Sequence, residues 1–245
     1  MKIASEKLED YLEIAKTAAM EAGKYLVSKR FTNMKIFSEE GKDIKLEIDR
    51  ETENIIRQRL RVTGISILGE EFGEDNVSST LKWIIDPLDG TSNYFRGLDQ
   101  CCISIALMDN EESLLGLIYN FNSNQIFLAC KNKGAFLNGR AIKVSRIEKK
   151  EQASLTTGFP ASETLESSIS YLKDLSAWKK VRMFGSAALS CAYVASGKCD
   201  VYKEKGVYIW DFAAGICLVE EAGGKAVFKK IDEDRYQVNF NNGIL

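Results

Sequence analysis

The chain has 245 residues, 45% of them hydrophobic and 28% charged, with 33 basic and 35 acidic side chains and a net charge of −2. That length buries a substantial core as one large domain or two joined halves, and the charge balance offers no basic footprint for nucleic acid or an anionic membrane. There is no histidine, which excludes Ser-His-Asp and Cys-His catalysis, phosphohistidine chemistry and most zinc sites.

The first residues, MKIASEKLEDYLEIAK, are charged and lack an apolar signal-peptide core, so a cytoplasmic location is expected. Residues 5–29 read as an amphipathic helix, with Leu8, Leu12, Ala15, Ala19, Ala22 and Leu26 at spacings of three and four. A second helix is predicted from about Asp49 to Arg61, with Ile55, Ile56 and Leu60 inward and the intervening charges on a solvated face. Then the period changes. Ile65–Leu68, Trp83–Ile85 and Cys102–Leu107 read as strands, and 114–119, 125–130 and 135–137 continue them as a meander. Asp109-Asn110, Asn122-Ser123-Asn124, Asn132-Lys133-Gly134 and Asn138-Gly139 punctuate it, the last a strong hairpin signal. The middle of the chain is therefore expected to be an antiparallel sheet.

A charged stretch, Ser145 to Glu151, marks a mild boundary between an N-terminal half, 1–145, and a C-terminal half, 146–245, within one compact unit. Beyond it, small residues 187–195 read as a helix ending near Gly197. A second helix is predicted over 212–222, just after Asp211 and ending at Gly223-Gly224. Strands at 225–228 and 236–240 close the chain. The six cysteines are scattered, with no C-x-x-C, and read as reduced and mostly buried.

Three carboxylate clusters stand at strand ends or helix starts: Gly69-Glu70-Glu71, Asp86-Pro87-Leu88-Asp89, and Asp211. Glu70 and Glu71 are also compatible with a solvated loop, and Asp211 with a helix N-cap. Asp86 and Asp89 are harder to account for. Pro87 is expected to turn the chain directly after an apolar strand, leaving Asp86 at the sheet's end and Asp89 folded back near it. Two such carboxylates repel each other unless cations share the site. Gly90 permits close backbone approach to a ligand, and Thr91 and Ser92 then present hydroxyls and amides that suit an anion. Hard oxygen donors favour Mg²⁺, Mn²⁺ or Ca²⁺. The acids are three apart, which rejects D-x-D-x-[TV] phosphatases, and DPLDGTSNYFRG does not fit an EF-hand. No P-loop motif is present.

Together, Gly69-Glu70-Glu71, the segment from Trp83 to Tyr94, Gly185-Ser186-Ala187-Ala188, Trp210 to Gly215 and Glu221 to Gly224 resemble the inositol monophosphatase family. That family comprises Mg²⁺-dependent, lithium-sensitive sugar and nucleotide phosphatases. The resemblance runs from the first helix to the end of the chain. It implies an α+β fold, a layered αβαβα sandwich, and usually a homodimer. It implies that Glu70, Asp86 and the carbonyl of Leu88 hold one Mg²⁺ and that Asp86, Asp89 and Asp211 hold another, with Mn²⁺ able to substitute. Glu70 with Thr91 is then expected to orient and deprotonate the attacking water, and Gly90 and Thr91, beside Ser92, to receive the phosphate. Gly185, Ser186 and Ala187 are expected to line the substrate pocket together with Asp89 and Asp211, Glu204 to meet substrate hydroxyls, and Glu71 only to support the site. The family's D-x-V-T-x-x-D segment is Asp43 to Asp49 here, with Leu46 in place of the threonine and so without its hydroxyl. Asp49 is expected to support a third, water-mediated ion or else to cap the second helix. Lys42 does not match the register of the family lysine.

The implied activity is hydrolysis of inositol monophosphate or a related sugar monophosphate by in-line attack of metal-activated water, without a covalent intermediate. The alternatives are fructose 1,6-bisphosphate, histidinol phosphate or 3′-phosphoadenosine 5′-phosphate as substrate. A reading from a different class is a mainly partner-binding regulatory protein, since some members of such a family act partly as partners of transcription machinery.

Overall fold

The computed structural model describes residues 5–30, 36–40, 43–75, 79–159 and 165–245. In chain order its elements begin with helix α1 (Ser5–Lys29), strands β1 (Ile36–Glu40) and β2 (Asp43–Leu46), and helix α2 (Glu47–Leu60). Strands β3 (Ser66–Gly69), β4 (Gly73–Glu74) and β5 (Leu81–Asp89) follow, then the short helix α3 (Thr91–Phe95). A run of strands comes next: β6 (Cys102–Asp109), β7 (Glu112–Asn120), β8 (Gln125–Cys130), β9 (Gly134–Leu137) and β10 (Arg140–Ile142). The rest comprises β11 (Ser154–Thr157), α4 (Leu165–Ser176), β12 (Lys180–Arg182), α5 (Ala187–Ala195), β13 (Val201–Val207), α6 (Ile209–Glu221), β14 (Lys225–Lys230) and β15 (Tyr236–Asn241).

β1 and β2 form a separate hairpin. The larger sheet has the order β10-β9-β8-β7-β6-β5-β3-β4 and the smaller β12-β11-β13-β15-β14. The β5-to-β10 meander is antiparallel, as its turns predict. Asn110, Asn124, Asn132 and Asn138 all take positive φ at the hairpin tips, a conformation Asn tolerates through its local hydrogen bonding. β3, however, runs parallel to β5. Its parallel pairing comes from a crossover through the segment around β4, a tertiary feature without a local signature.

The period-2 pattern of β6 divides the two cores. Ile103, Ile105 and Leu107 face α1 and α2, whereas Cys102, Ala106 and Met108 face α5 and α6. Against the first face, α1 buries Leu8, Tyr11, Ala15, Ala18, Ala22 and Leu26, and each fully buried leucine or isoleucine contributes about 1.5–3 kcal/mol by transfer. Between the sheets, α5 and α6 are apolar on nearly every side, and their core includes Ala188, Leu189, Phe212, Leu218 and, from the smaller sheet, Tyr202 and Phe240. A third cluster, Ala153, Leu155, Trp178 and Val201 with Leu175 of α4, covers the outer face of the smaller sheet. The order of layers is thus αβαβα.

α2 begins at Glu47, two residues earlier than the sequence predicts, so Asp49 is not its N-cap but lies inside its first turn. The solvated face expected for this helix is also wrong in part. Asp49, Glu53 and Arg57 are buried, and Glu53 and Arg57 are so because the helix packs them against the β3–β4 turn as well as its apolar stripe against α1. α6 starts at Ile209, so Asp211 lies within its first turn. All six cysteines are buried and unpaired. Among the described residues, no helix is long and apolar enough to cross a membrane.

Candidate active site

β5 does not end at Asp86. Its ladder pairs Asp86 with Ser104 and Asp89 with Cys102 on β6, so three steps along β5 match two along β6. This is a β-bulge, and Pro87 sits inside it, where no ladder N–H is required. Ile84 packs toward α5 and α6, so the strand's period of two puts Asp86 on the same side. Leu88 sends its side chain into the opposite core, which leaves only its main chain for the acid cluster. Asp86 Oδ1 accepts the Leu88 N–H at 2.9 Å, and the Thr91 hydroxyl donates to the Leu88 carbonyl at 3.0 Å.

Gly90 follows at φ +89° and is the N-cap of α3. A Cβ there would sit 2.7 Å from the Gln100 carbonyl, so both the left-handed backbone and the close approach require glycine. Asn93 ties this turn to the other half of the chain. Its Nδ2 donates to the carbonyls of Gln100 and Phe184, each at 2.7 Å, and of Gly185 at 3.2 Å.

Asp89 is held at the start of α5. The Ala188 N–H donates to Oδ2 at 2.8 Å and the Ala187 N–H to Oδ1 at 3.3 Å. The Ser186 hydroxyl also donates to Oδ2, and the Cys102 thiol does so at 3.6 Å. Ser186 is the N-cap of α5 and accepts the Leu189 N–H at 3.2 Å. A carboxylate at this position also meets the positive end of the helix dipole. Asp211 Oδ2 accepts the Tyr208 N–H at 2.8 Å, so its helix-capping reading and its site reading are both compatible with one side chain.

Burial pushes the Asp86 carboxyl well above the usual carboxylate range, and the charges of Glu70, Asp89 and Asp211 push it further. Asp211 is likewise raised well above that range, first by burial and then by Asp89, Glu70 and Glu204. Asp89 is raised by burial even though Ser186, Ala187, Ala188 and Cys102 favour its ionised form. Four acids from three separate segments therefore lie within one another's field. Glu204, on β13, stands at the edge of this group. Burial lifts it to about 7, and Asp89 adds to the effect, while the Tyr202 hydroxyl, donating at 2.9 Å, opposes it.

Among the described residues no three His, Cys, Asp or Glu side chains already stand as a closed cation cage. The donor chemistry nevertheless suits a hard divalent cation. The converging groups are carboxylates, and burial holds the thiol of the adjacent Cys102 well above its ordinary pKa, hence protonated. A cation relieves the mutual repulsion that raises Asp86 and Asp211.

Asp49 is buried on α2. Lys42 and the side chains of Asp43 and Leu46 lie outside the described residues. Gly185 and Ala187 flank Ser186 beside Asp89, and Ser92 is exposed on α3. Glu221, part of the last motif, lies elsewhere. Its carboxylate accepts the N–H groups of Asn132 and Gly134 at 2.8 Å each and so pins the β8–β9 hairpin. Asn93 and Cys102 escaped the sequence reading. The juxtaposition of Asn93 with Gly185 spans 92 residues, and no local pattern reports it.

The model of the inositol monophosphatase family matches residues 7–236. A protein of Xylella fastidiosa called Nus factor SuhB is 37% identical over 227 residues, covering 89% of this chain and 82% of its own. A fructose-1,6-bisphosphatase/inositol-1-monophosphatase of Aquifex aeolicus is 34% identical, covering 89% and 86%. Among solved structures, inositol monophosphatase from Anabaena superposes with a TM-score of 0.85 at 33% identity, covering 97% of this chain and 92% of that one. On the family match over nearly the whole chain, the relatives above 30% identity and the shared αβαβα fold, the chain belongs to the inositol monophosphatase family and is a phosphatase.

Proposed function

We propose that the chain hydrolyses inositol monophosphate or a related sugar monophosphate in an Mg²⁺-dependent reaction. The observation that carries this reading is the convergence of Glu70, Asp86, Asp89 and Asp211 at the β5 bulge, next to the glycine-opened turn at Gly90. Glu70, Asp86, Asp89, Asp211 and the Leu88 carbonyl would hold the Mg²⁺ ions, two or three in number, and Mn²⁺ would substitute. Bound there, a divalent cation supplies charge neutralisation for the phosphoryl oxygens and the leaving alkoxide.

The chain's own groups do the rest. Glu70 accepts a proton from the attacking water, whose orientation it shares with Thr91. The Gly90 and Thr91 amides, with the Thr91 hydroxyl, receive the phosphate. Ser186 and the start of α5 hold Asp89 in one orientation, with Gly185 and Ala187 at the pocket wall. Glu204, braced by Tyr202, meets the substrate's hydroxyls. Above about pH 7, where it is ionised, its negative charge disfavours a second phosphate at that end, which supports a monophosphate over a bisphosphate. A third, water-mediated ion would lie toward Asp49. Lithium sensitivity, a homodimeric state and a cytoplasmic location belong to the same reading.

Phosphate release should be measured over inositol monophosphate, fructose 1,6-bisphosphate, histidinol phosphate and 3′-phosphoadenosine 5′-phosphate, with Mg²⁺ and with added lithium. A higher kcat/KM on the bisphosphate than on any monophosphate would overturn the substrate assignment. The relative called Nus factor SuhB supports a second reading, a partner-binding role. One stoichiometric partner in a pull-down, together with no hydrolysis of any ester in the panel, would favour it.

A further inference from the structure

Behind Glu70 lies a buried ion pair that sequence reasoning assigns to a solvated helix face. Glu53 of α2 has no solvent exposure, and Arg57 has almost none. Glu53 Oε1 accepts the Arg57 Nε–H at 2.7 Å. The same carboxylate accepts the Glu71 N–H at 2.7 Å on Oε2 and the Phe72 N–H at 3.3 Å on Oε1. Arg57 reaches the far side of the same turn, donating to Asp75 Oδ1 at 2.9 Å and to the Gly73 carbonyl. The pair therefore grips both arms of the β3–β4 connection, whose first residue is Glu70.

The space beneath the turn is fully used. A Cβ at Gly69 would overlap the Glu53 carboxylate, so the glycine that precedes Glu70 is required by Glu53 itself. Stability alone is a weak reason for this arrangement, because a buried ion pair is often no better than well-packed apolar side chains. What apolar side chains do not supply is two acceptor oxygens aimed at consecutive main-chain amides. Those bonds fix the peptide planes immediately after Glu70, and with them the direction in which its side chain leaves the turn.

We propose that Glu53, paired with Arg57, is a positioning residue that holds the Glu70 turn in register with Asp86 and Asp211. This rests on the role given to Glu70 in the proposed function. The test compares wild type, Glu53→Gln and Gly69→Ala by three readouts: Mn²⁺ binding to the metal-free protein, amide exchange at residues 71 and 72, and kinetics with Mg²⁺. Because Glu53→Gln removes the fully buried one of the two carboxylates paired with Arg57, leaving only Asp75, it is prone to misfold. Gly69→Ala disturbs the same contact with both charges intact.

In either folded variant, Mn²⁺ affinity should fall by about 10-fold or more, the scale on which residues supporting metal ligands act. Exchange at 71 and 72 should accelerate while the rest of the chain keeps its protection. With Mg²⁺, kcat should drop and KM stay close to that of wild type. Glu53→Asp, which keeps the charge but not the reach, should fail to restore any of these. Folded variants with wild-type Mn²⁺ affinity and wild-type kcat would overturn the inference. So would a loss of activity that follows only the folded fraction. If wild type binds Mn²⁺ yet hydrolyses no phosphate ester, the phosphatase reading fails, while the Mn²⁺ and exchange results still decide the role of Glu53.

Discussion

Replacing Glu204 with glutamine should stabilise the metal-free protein at high pH and leave it nearly unchanged at low pH. Burial lifts the folded-state pKa of Glu204 from the ordinary value of 4.5 to about 7. A carboxyl raised in this way contributes stability that is fully present below about 4.5 and is lost as pH rises through about 7. The gap corresponds to about 3 kcal/mol, at roughly 1.4 kcal/mol per pH unit. Glutamine cannot ionise, so it avoids this loss. The bonds from the Tyr202 hydroxyl and the Gly158 amide favour the ionised form and are already part of that raised pKa. The net gain at pH 8 should therefore be about 3 kcal/mol, or several degrees in Tm for a chain of this size. Thermal melts of wild type and Glu204→Gln from pH 5 to 8.5 in EDTA read this directly. Asp86, Asp89 and Asp211 titrate in both proteins, so the difference between the two curves largely isolates Glu204. A difference in Tm that stays flat over the whole range would refute the reasoning.

Asp86→Asn should reduce Mg²⁺-dependent phosphate release by at least about 100-fold and at the same time raise the metal-free Tm, since it removes one charge from a buried group of acids; a variant with near-native turnover contradicts the assignment. Gly90→Ala forces a side chain to φ +89° and against the Gln100 carbonyl, which should cost about 1–3 kcal/mol in a denaturant titration. Asn93→Ala removes the bonds to Gln100 and Phe184, and steady-state kinetics should show KM for the ester rising as the Gly90 turn and the start of α5 lose registration.

The acid motifs were legible because each is short and chemically unusual. Asp86 and Asp89 stand three apart beside a proline and a glycine, and the absence of histidine left oxygen chemistry as the main course. The meander was legible for a similar reason, because its asparagine and glycine turns are local. What escaped the sequence depended on contacts distant in the chain. Glu53 and Arg57 look like ordinary surface charges on an amphipathic helix until the β3–β4 turn is brought over them. The bulge in β5 follows from its register against β6, which Pro87 allows but does not dictate. Ser186 read as a pocket residue, yet its hydroxyl is committed to Asp89, a partner 97 residues away. The substrate is the least legible part, because one carboxylate, Glu204, carries most of the argument for it.

The proposed function requires the four acids to act as one cation-dependent unit. Calorimetric titration of the metal-free protein with Mg²⁺ near neutral pH, in two buffers of different ionisation enthalpy, tests this most directly. The raised pKa of Asp86 and Asp211 predicts saturable binding that releases protons, with both binding and release lost in Asp86→Asn. Binding without proton release, or binding undiminished in that variant, would contradict it.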